Sequence, residues 1–420
     1  MTAESRYIKI AVIGAGVRGT NLARKVRTSG LPAVISAVAE PDDNKRNSFL
    51  KEFGLDEQLT FRTWEELISS KIHCDAVIIA TLDNQHAGPA LASLEAGWHI
   101  LIEKPLSDKF SDCLKIVRTQ KQKNKVIAVC HTLRFMEGYR KVKDVAGSGE
   151  IGEIIHIEHM EAISNVRFAH NYVRNRWSQE KLNTFLLLHK CSHDIDFIAW
   201  LLHDECKKVS SFGSLKYFTP VNAPAGSTKK CTDGCLLVDN CQYNAIRLYV
   251  DGPLEEWPAR DVCRIHTREA HMEALLTGPF GNCVWKGGND VVDHQVVMME
   301  FERGATATCT LTGFSASNGR RVRVQGTKGE LLFDEANSLI YITEFQNSRK
   351  TTLNISKPES YHPEDQNIVN EWLLSVINNS AVTVDAGEAL RTHAIVFAAE
   401  KSRDESQTIM MKDFLKTNED

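Results

Sequence analysis

The 420-residue chain lacks a basic excess: 50 lysines and arginines face 54 aspartates and glutamates, a formal net charge of −4. Without a basic field to neutralise phosphates, nucleic acid is excluded as a partner. No apolar run approaches the roughly 20 residues that cross a bilayer, so no membrane segment is expected. The amino-terminal MTAESRYIKI has neither a basic stretch nor an apolar one, which predicts no secretory leader and a cytoplasmic protein. A regular cysteine framework is also missing. The eleven cysteines are odd in number and mostly isolated, in a chain long enough to fold without staples, so they read as thiols.

What is present is ordinary for a globular protein, 42% hydrophobic and 25% charged, and long enough for two or three domains of about 100–200 residues. The first apolar, β-branched stretch, Ile8–Ile13, runs into Gly14-Ala15-Gly16-Val17-Arg18-Gly19 and then a helical stretch over 20–29. A second strand, Ala33–Ala39, ends at Glu40, about 20 residues after the last glycine. A G-x-G-x-x-G that follows a strand, opens a helix and has an acid at that distance is the dinucleotide-binding pattern. Gly14 permits the turn, Gly16 lets the backbone approach a pyrophosphate, and Gly19 lets helix and strand close up. Free N–H groups at the helix start bind phosphate. Glu40 is placed to accept from the adenosine ribose, which favours NAD; Arg18, Lys45 and Arg46 leave NADP as the lesser expectation.

Further strands over 75–80, His99–Ile102 and 126–130 continue the alternation, predicting a doubly wound parallel sheet that ends near residue 130. Ligands of such sheets lie at the carboxyl ends of the strands. That rule gathers Thr81, Asn84, His86, Glu103, Lys104 and His131 at one crevice. After residue 150 the pattern changes to short alternating strands with turns at Gly304 and Gly326–Gly329.

The segments AVIGAGVRG, DAVIIATLDNQHAGPALASLEAGWHILIEKPLS and SGEIGEI resemble the glucose–fructose oxidoreductase/inositol dehydrogenase (Gfo/Idh/MocA) family, and Glu103-Lys104-Pro105 is its most specific short signature. The resemblance implies a Rossmann domain over 1–130 and an α+β domain over 131–420. The second domain carries a large open, mainly antiparallel sheet whose uncovered face forms a homodimer or homotetramer interface. The last helices are expected to pack on the first domain. The resemblance also implies hydride transfer between a sugar, polyol or related cyclic alcohol and NAD(P). Two alternatives accompany it: NAD-dependent glycoside cleavage through transient oxidation, and a non-catalytic dinucleotide-binding regulator. Lys104 would lie beside the nicotinamide, before a cis proline, with Gly14, Gly16, Arg18, Gly19, Glu40, Thr81, Asn84, His86 and Glu103 around the cofactor.

The stretch LHKCSHDIDFIAW, residues 188–200, resembles the family's H-D-x-D helix, which makes His193 the expected general base. Many relatives have an aspartate four residues earlier, where this chain has His189 followed by Lys190. With His131, Asp196, and the upstream Arg174 and Trp177, these are the expected substrate contacts. Residues 217–290 read as an insertion with few regular elements. Its Cys231, Cys235 and Cys241 are candidates for a structural zinc, with plain thiols as the default.

Overall fold

A computed structural model describes residues 7–356 and 362–418; the first six residues of the amino-terminal segment lie outside it. Its first layer is a parallel sheet of β1 (Ile8–Ile13), β2 (Ala33–Ala39), β3 (Thr60–Phe61), β4 (Ala76–Ile79), β5 (His99–Ile102) and β6 (Ile127–Val129), in the order β3-β2-β1-β4-β5-β6. The helices α1 (Val17–Arg27), α2 (Asp43–Phe53), α3 (Trp64–Ser69), α4 (Ala87–Glu95) and α5 (Phe110–Lys123) connect these strands. With both faces covered, β1 and β4 are almost continuously buried, which is why they read as unbroken apolar runs. Strand order reverses between β1 and β4, and the turns after these two strands diverge there to open a crevice.

Glycine is required at two points of the first turn. Gly14 has φ +92°, and a Cβ on Gly19 would lie 1.9 Å from the Gly14 carbonyl oxygen. Gly16 is the N-cap of α1, so the helix starts at Val17, three residues before the expected 20.

The second layer follows α6 (Glu137–Gly147). Its strands are β7 (Ile154–Ser164), β8 (Cys206–Ser214), β9 (His294–Phe301), β10 (Thr306–Ser315), β11 (Gly319–Gly326), β12 (Gly329–Asp334), β13 (Leu339–Glu344), β14 (Lys350–Asn354) and β15 (Ile409–Met410). They form one sheet in the order β14-β13-β12-β11-β7-β10-β9-β8-β15, with every pair antiparallel except β7 with β10. Between these strands lie α7 (Asn165–Phe168), α8 (Leu186–Leu202), α9 (Ala245–Tyr249) and α10 (Arg268–Thr277), and around them α11 (Asp365–Asn378), α12 (Ala386–Glu405) and α13 (Met411–Asn418).

Burial alternates along β7, β9 and β10. One face packs Ile157, Val297, Cys309 and Val322 against Leu187, Leu188, Ile195 and Ile198 of α8. The other exposes Met160, Phe212, Met298 and Tyr341. The chain then returns to the first sheet. Ile368, Val369, Trp372 and Leu373 of α11 join the core of β1 and α1, and Ala386 and Ala389 of α12 join that of β4 and β5. The insertion builds a small core of its own from Ala245, Tyr249, Val250, Leu275 and Phe280. Among the described residues no helix is long and apolar enough to cross a membrane.

Candidate active site

The glycine turn and the end of β2 are locked together. The Ala15 N–H donates to Glu40 Oε2 at 2.8 Å, and the Asp42 N–H donates to Oε1 at 3.0 Å. A buried carboxylate is thereby presented at the strand end beside the start of α1. A Cβ on Gly16 would meet nothing within 4 Å, so open space lies before the helix N-terminus, whose N-cap makes no side-chain bond. Free N–H groups, open space and an acceptor at the ribose position fit a dinucleotide.

The Arg18 side chain turns elsewhere. Its guanidinium bonds Glu103 at 2.7 Å and both oxygens of Asp365 at 2.7 and 3.0 Å, clamping α1 to the end of β5 and to α11. Burial works against its charge, but Glu103 and Asp365 outweigh it and hold the pKa above the usual arginine value. Of the other residues expected around the cofactor, Thr81 bonds the Gln85 carbonyl at 3.2 Å and Asn84 the Leu182 carbonyl at 3.3 Å. His86 corrects its expectation: it is buried, with Nδ1 2.6 Å from the Pro105 carbonyl, and so props the Glu-Lys-Pro turn from behind. The Lys104–Pro105 peptide bond is cis.

Lys104 projects from that turn to α8, where its ammonium donates to the His189 carbonyl. Burial lowers its pKa, and the nearby Asp83 and Glu103 only partly offset this. The His189 ring is held by Asp83, with Nδ1 2.6 Å from Oδ2. Asp83 is fixed in turn by Asn183, whose side chain accepts from the Asp83 N–H at 3.2 Å and donates to its carboxylate at 3.3 Å. Burial alone would raise the Asp83 pKa, yet His189 and Lys104 hold it well below the carboxylate range. Trp177 flanks the His189 ring with centroids 5.3 Å apart, and Tyr172 lies at 6.0 Å.

His193 lies one turn further along α8. Its Nδ1 is buried without a hydrogen-bond partner among the described residues. Burial and the nearby Lys104, His131 and Arg320 push its pKa well below the usual histidine value. The expected contact His131 is fully buried behind it, the rings nearly perpendicular at 5.6 Å, and His393 meets the other side of His131 at the same distance.

Three expected substrate contacts are corrected. Asp196 is completely buried in the middle of α8, and Arg134 takes both its oxygens at 2.8 Å. Lys190 commits its ammonium to Glu161 of β7 at 2.9 Å. Arg174 is buried in the insertion, bonded to the carbonyls of Asn282 at 2.7 Å and Tyr243 at 2.6 Å. A π-turn over Ala169–Val173 precedes it and turns it that way.

Cys231, Cys235 and Cys241 do share a small cavity, about 20 Å³, with Cys283 and Arg174. No three of His, Cys, Asp and Glu among the described residues stand together as a metal-ligand set, however. The Arg174 guanidinium, 3.7 Å from the Cys231 sulfur, puts a positive charge where a metal ion would have to sit. All eleven cysteines are free thiols.

Sequence reasoning missed Asp83, Asn183, Arg134, Asp365 and His393. Only Asp83 carried a signal, its place at the carboxyl end of β4 between two residues that were picked out.

Residues 8–131 match a family model described as the NAD-binding Rossmann fold of an oxidoreductase family, and residues 143–411 match the C-terminal alpha/beta domain of the same family. An oxidoreductase of Bacillus subtilis is 22% identical over 272 residues, which are 62% of this chain and 60% of that protein, so the match spans about three-fifths of that relative's length. An inositol 2-dehydrogenase of Salmonella paratyphi B is 24% identical over 245 residues, 56% of this chain and 68% of that one. Among solved structures, levoglucosan dehydrogenase in complex with NADH and levoglucosan superposes with TM-score 0.72 at 16% identity, covering 97% of this chain and 100% of that chain. An Agrobacterium radiobacter oxidoreductase in complex with NAD+, L-tartaric acid and magnesium gives TM-score 0.71 at 16% identity, covering 97% and 99%. At these identities the superpositions establish the fold.

Proposed function

The chain belongs to the Gfo/Idh/MocA oxidoreductase family, and from that premise we propose that it is an NAD-dependent dehydrogenase of a sugar, polyol or related cyclic alcohol. The observation that carries the reading is the convergence of Lys104 with His189 and His193 of α8 in the crevice that the glycine turn opens. NAD, when bound, supplies the acceptor for the hydride leaving a CH–OH group. Glu40 and the start of α1 hold the dinucleotide, and the buried Glu40 carboxylate disfavours a 2′-phosphate. The Lys104 ammonium binds the hydroxyl oxygen and stabilises the charge that develops there. A neutral imidazole of α8 receives the hydroxyl proton, and Trp177 offers an aromatic face to a sugar ring.

In this reading residues 1–130 serve the dinucleotide and 131–420 the substrate and assembly. The apolar open face of the second sheet supports a homodimer or homotetramer, and the free thiols suit a reducing cytoplasm. The relatives' dehydrogenase names favour oxidation over glycoside cleavage or a regulatory role. Incubating the purified protein with NAD and a panel of inositols, aldoses and anhydrosugars tests this. Reduced cofactor should accumulate in step with product for at least one of them. A protein that binds NAD by calorimetry but reduces it with none of the panel would overturn the proposal.

A further inference from the structure

Two histidines of α8 face the crevice one turn apart, and their partners differ. His189 Nδ1 lies 2.6 Å from a carboxylate that arrives from the turn after β4, more than a hundred residues away in the chain. Asp83 is 7% exposed, and Asn183 grips both its backbone and its carboxylate. An ionised carboxylate only accepts, so the Nδ1–H of His189 points at Asp83. The lone pair is thereby left on Nε2, which has no hydrogen-bond partner among the described residues. The ring is steadied by Trp177 and Tyr172, and the backbone carbonyl of the same residue receives the Lys104 ammonium. His193 has no such anchor. Its Nδ1 is buried with no hydrogen-bond partner among the described residues, and no bond among them fixes which of its nitrogens carries the proton.

We propose that Asp83 and His189 form an oriented acid–base pair in which His189 Nε2 takes the substrate's hydroxyl proton, with Asp83 a positioning residue acting through it. The inference rests on the dehydrogenase reading and deepens it. In the step, the O–H bond breaks and its proton moves to Nε2. The electron pair of that bond becomes the second carbon–oxygen bond, and the hydrogen on carbon leaves with its own pair to oxidised NAD. Asp83 keeps the imidazole in the accepting tautomer and stabilises the imidazolium that forms. The carboxylate that many relatives carry on the helix at position 189 is here supplied from another element, through a ring.

The charged groups acting on His189 are Asp83 from the turn after β4, Lys104 from the turn after β5, and Lys190 beside it on α8. Arg176 and His86 face Asp83. Burial, Lys104 and Lys190 lower the His189 pKa and Asp83 opposes them, which leaves a neutral ring ready to accept.

Two measurements on the full chain test the pair. The first needs no substrate: ¹⁵N spectra of histidine-labelled protein, with the His189 signals assigned by their loss in His189→Gln. The Nδ1–H tautomer is expected in the wild type and its loss in Asp83→Asn. An Nε2–H tautomer in the wild type overturns the proposal, whatever the protein's substrate proves to be. The second is the pH profile of kcat/KM on an oxidised substrate. Asp83→Asn should lower the plateau by roughly 10²-fold or more, in the range of general-base effects, and move the acid limb to lower pH because the charge supporting the imidazolium is gone. Asp83→Glu should recover most of the rate, and His193→Asn should keep the acid limb. An unchanged profile in Asp83→Asn together with a lost acid limb in His193→Asn would assign the proton to His193 and sink the pair. If the wild type oxidises nothing, the dehydrogenase reading fails by itself, and the spectra still decide the state of the pair.

Discussion

The helix α8 carries two sets of polar groups, one turn apart within each set, and they are treated in opposite ways. On the sheet side, Lys190 pairs with Glu161 at 2.9 Å, Arg320 with Glu161 at 2.8 Å and with Asp194 at 2.6 Å, and His159 with Asp194 at 2.6 Å. Burial favours the protonated Asp194, but Arg320 and His159 prevail and hold it ionised. On the crevice side, among the described residues, the Lys104 ammonium has a carbonyl as its one direct partner, His193 has a buried nitrogen with none, and His189 meets Asp83 through Nδ1 alone and leaves Nε2 open. Charges matched to countercharges hold the second sheet to α8. Groups left under-satisfied lower their own pKa values and stay ready for a ligand. The same residue types on one helix thus divide into structural and chemical by their partners, not by their position in the chain.

The largest effect that tests this division is expected on the sheet side. Asp194→Ala leaves Arg320 buried beside a lost partner, and breaking such a pair costs about 3–5 kcal/mol. Urea unfolding should show the loss in the midpoint, with the slope unchanged. A cost below about 1 kcal/mol would mean that the network behaves as a solvated surface. Lys104→Met is the mirror image. Removing the charge that meets the developing alkoxide should reduce kcat by about 10²–10³. Stability should hold or rise, because a half-buried ammonium with no direct carboxylate partner among the described residues is removed. A Lys104→Met protein that unfolds as readily as Asp194→Ala would erase the contrast between the two sides.

Behind the crevice, His393 is fully buried and accepts from the Leu106 N–H at 3.0 Å, and burial, then His131, push its pKa down to about 3. The unfolded chain takes up this proton at about pH 6.5, well before the folded one does. Stability is therefore complete above that value and drains away as the pH falls towards 3. A single such group contributes about 2 kcal/mol of loss between pH 6.5 and 5. His393→Gln, which keeps an acceptor for Leu106, should remove that share of the acid sensitivity. Identical pH dependence in the variant would show that the ring titrates alike in the folded and unfolded chain and that burial does not lower its pKa.

How much of this was legible in the sequence follows the reach of each interaction. The glycine turn, Glu40, the Glu103-Lys104-Pro105 turn and the histidines of α8 are local patterns, in which spacing along the chain is spacing in space. The Rossmann strands were legible because a sheet covered on both faces needs unbroken apolar runs. The Asp83 partnership was not, since nothing near residue 83 announces a histidine 106 positions later. Arg174 failed for a related reason. Beside Tyr172 and Trp177 it has the composition of a sugar subsite, but a π-turn rotates it into the insertion while leaving Trp177 beside His189. Asp196 looked free because its partner, Arg134, comes from a segment with no periodic signal of its own. The cysteine triad drew attention by spacing alone, and the guanidinium that enters its cavity is invisible at that level.

Glu40 gives the smallest expected effect and the sharpest test of the division, because it lies on both sides of it. Its oxygens already accept from the N–H groups of Ala15 and Asp42, as a structural carboxylate's would. Each carboxylate oxygen can accept more than one hydrogen bond, so capacity remains for ribose hydroxyls. Glu40→Gln keeps one acceptor oxygen for the turn and removes the charge that repels a 2′-phosphate. The expected result is a loss of about tenfold, roughly 1.4 kcal/mol, in the preference for NAD over NADP, measured by calorimetric titration of both. The midpoint of unfolding should fall only slightly: the amide nitrogen replaces one oxygen, so one of the two N–H groups loses its acceptor while the other keeps it. If the preference is unaltered while the midpoint of unfolding falls, Glu40 belongs with Asp194 as a structural carboxylate, and selectivity must come from elsewhere in the crevice.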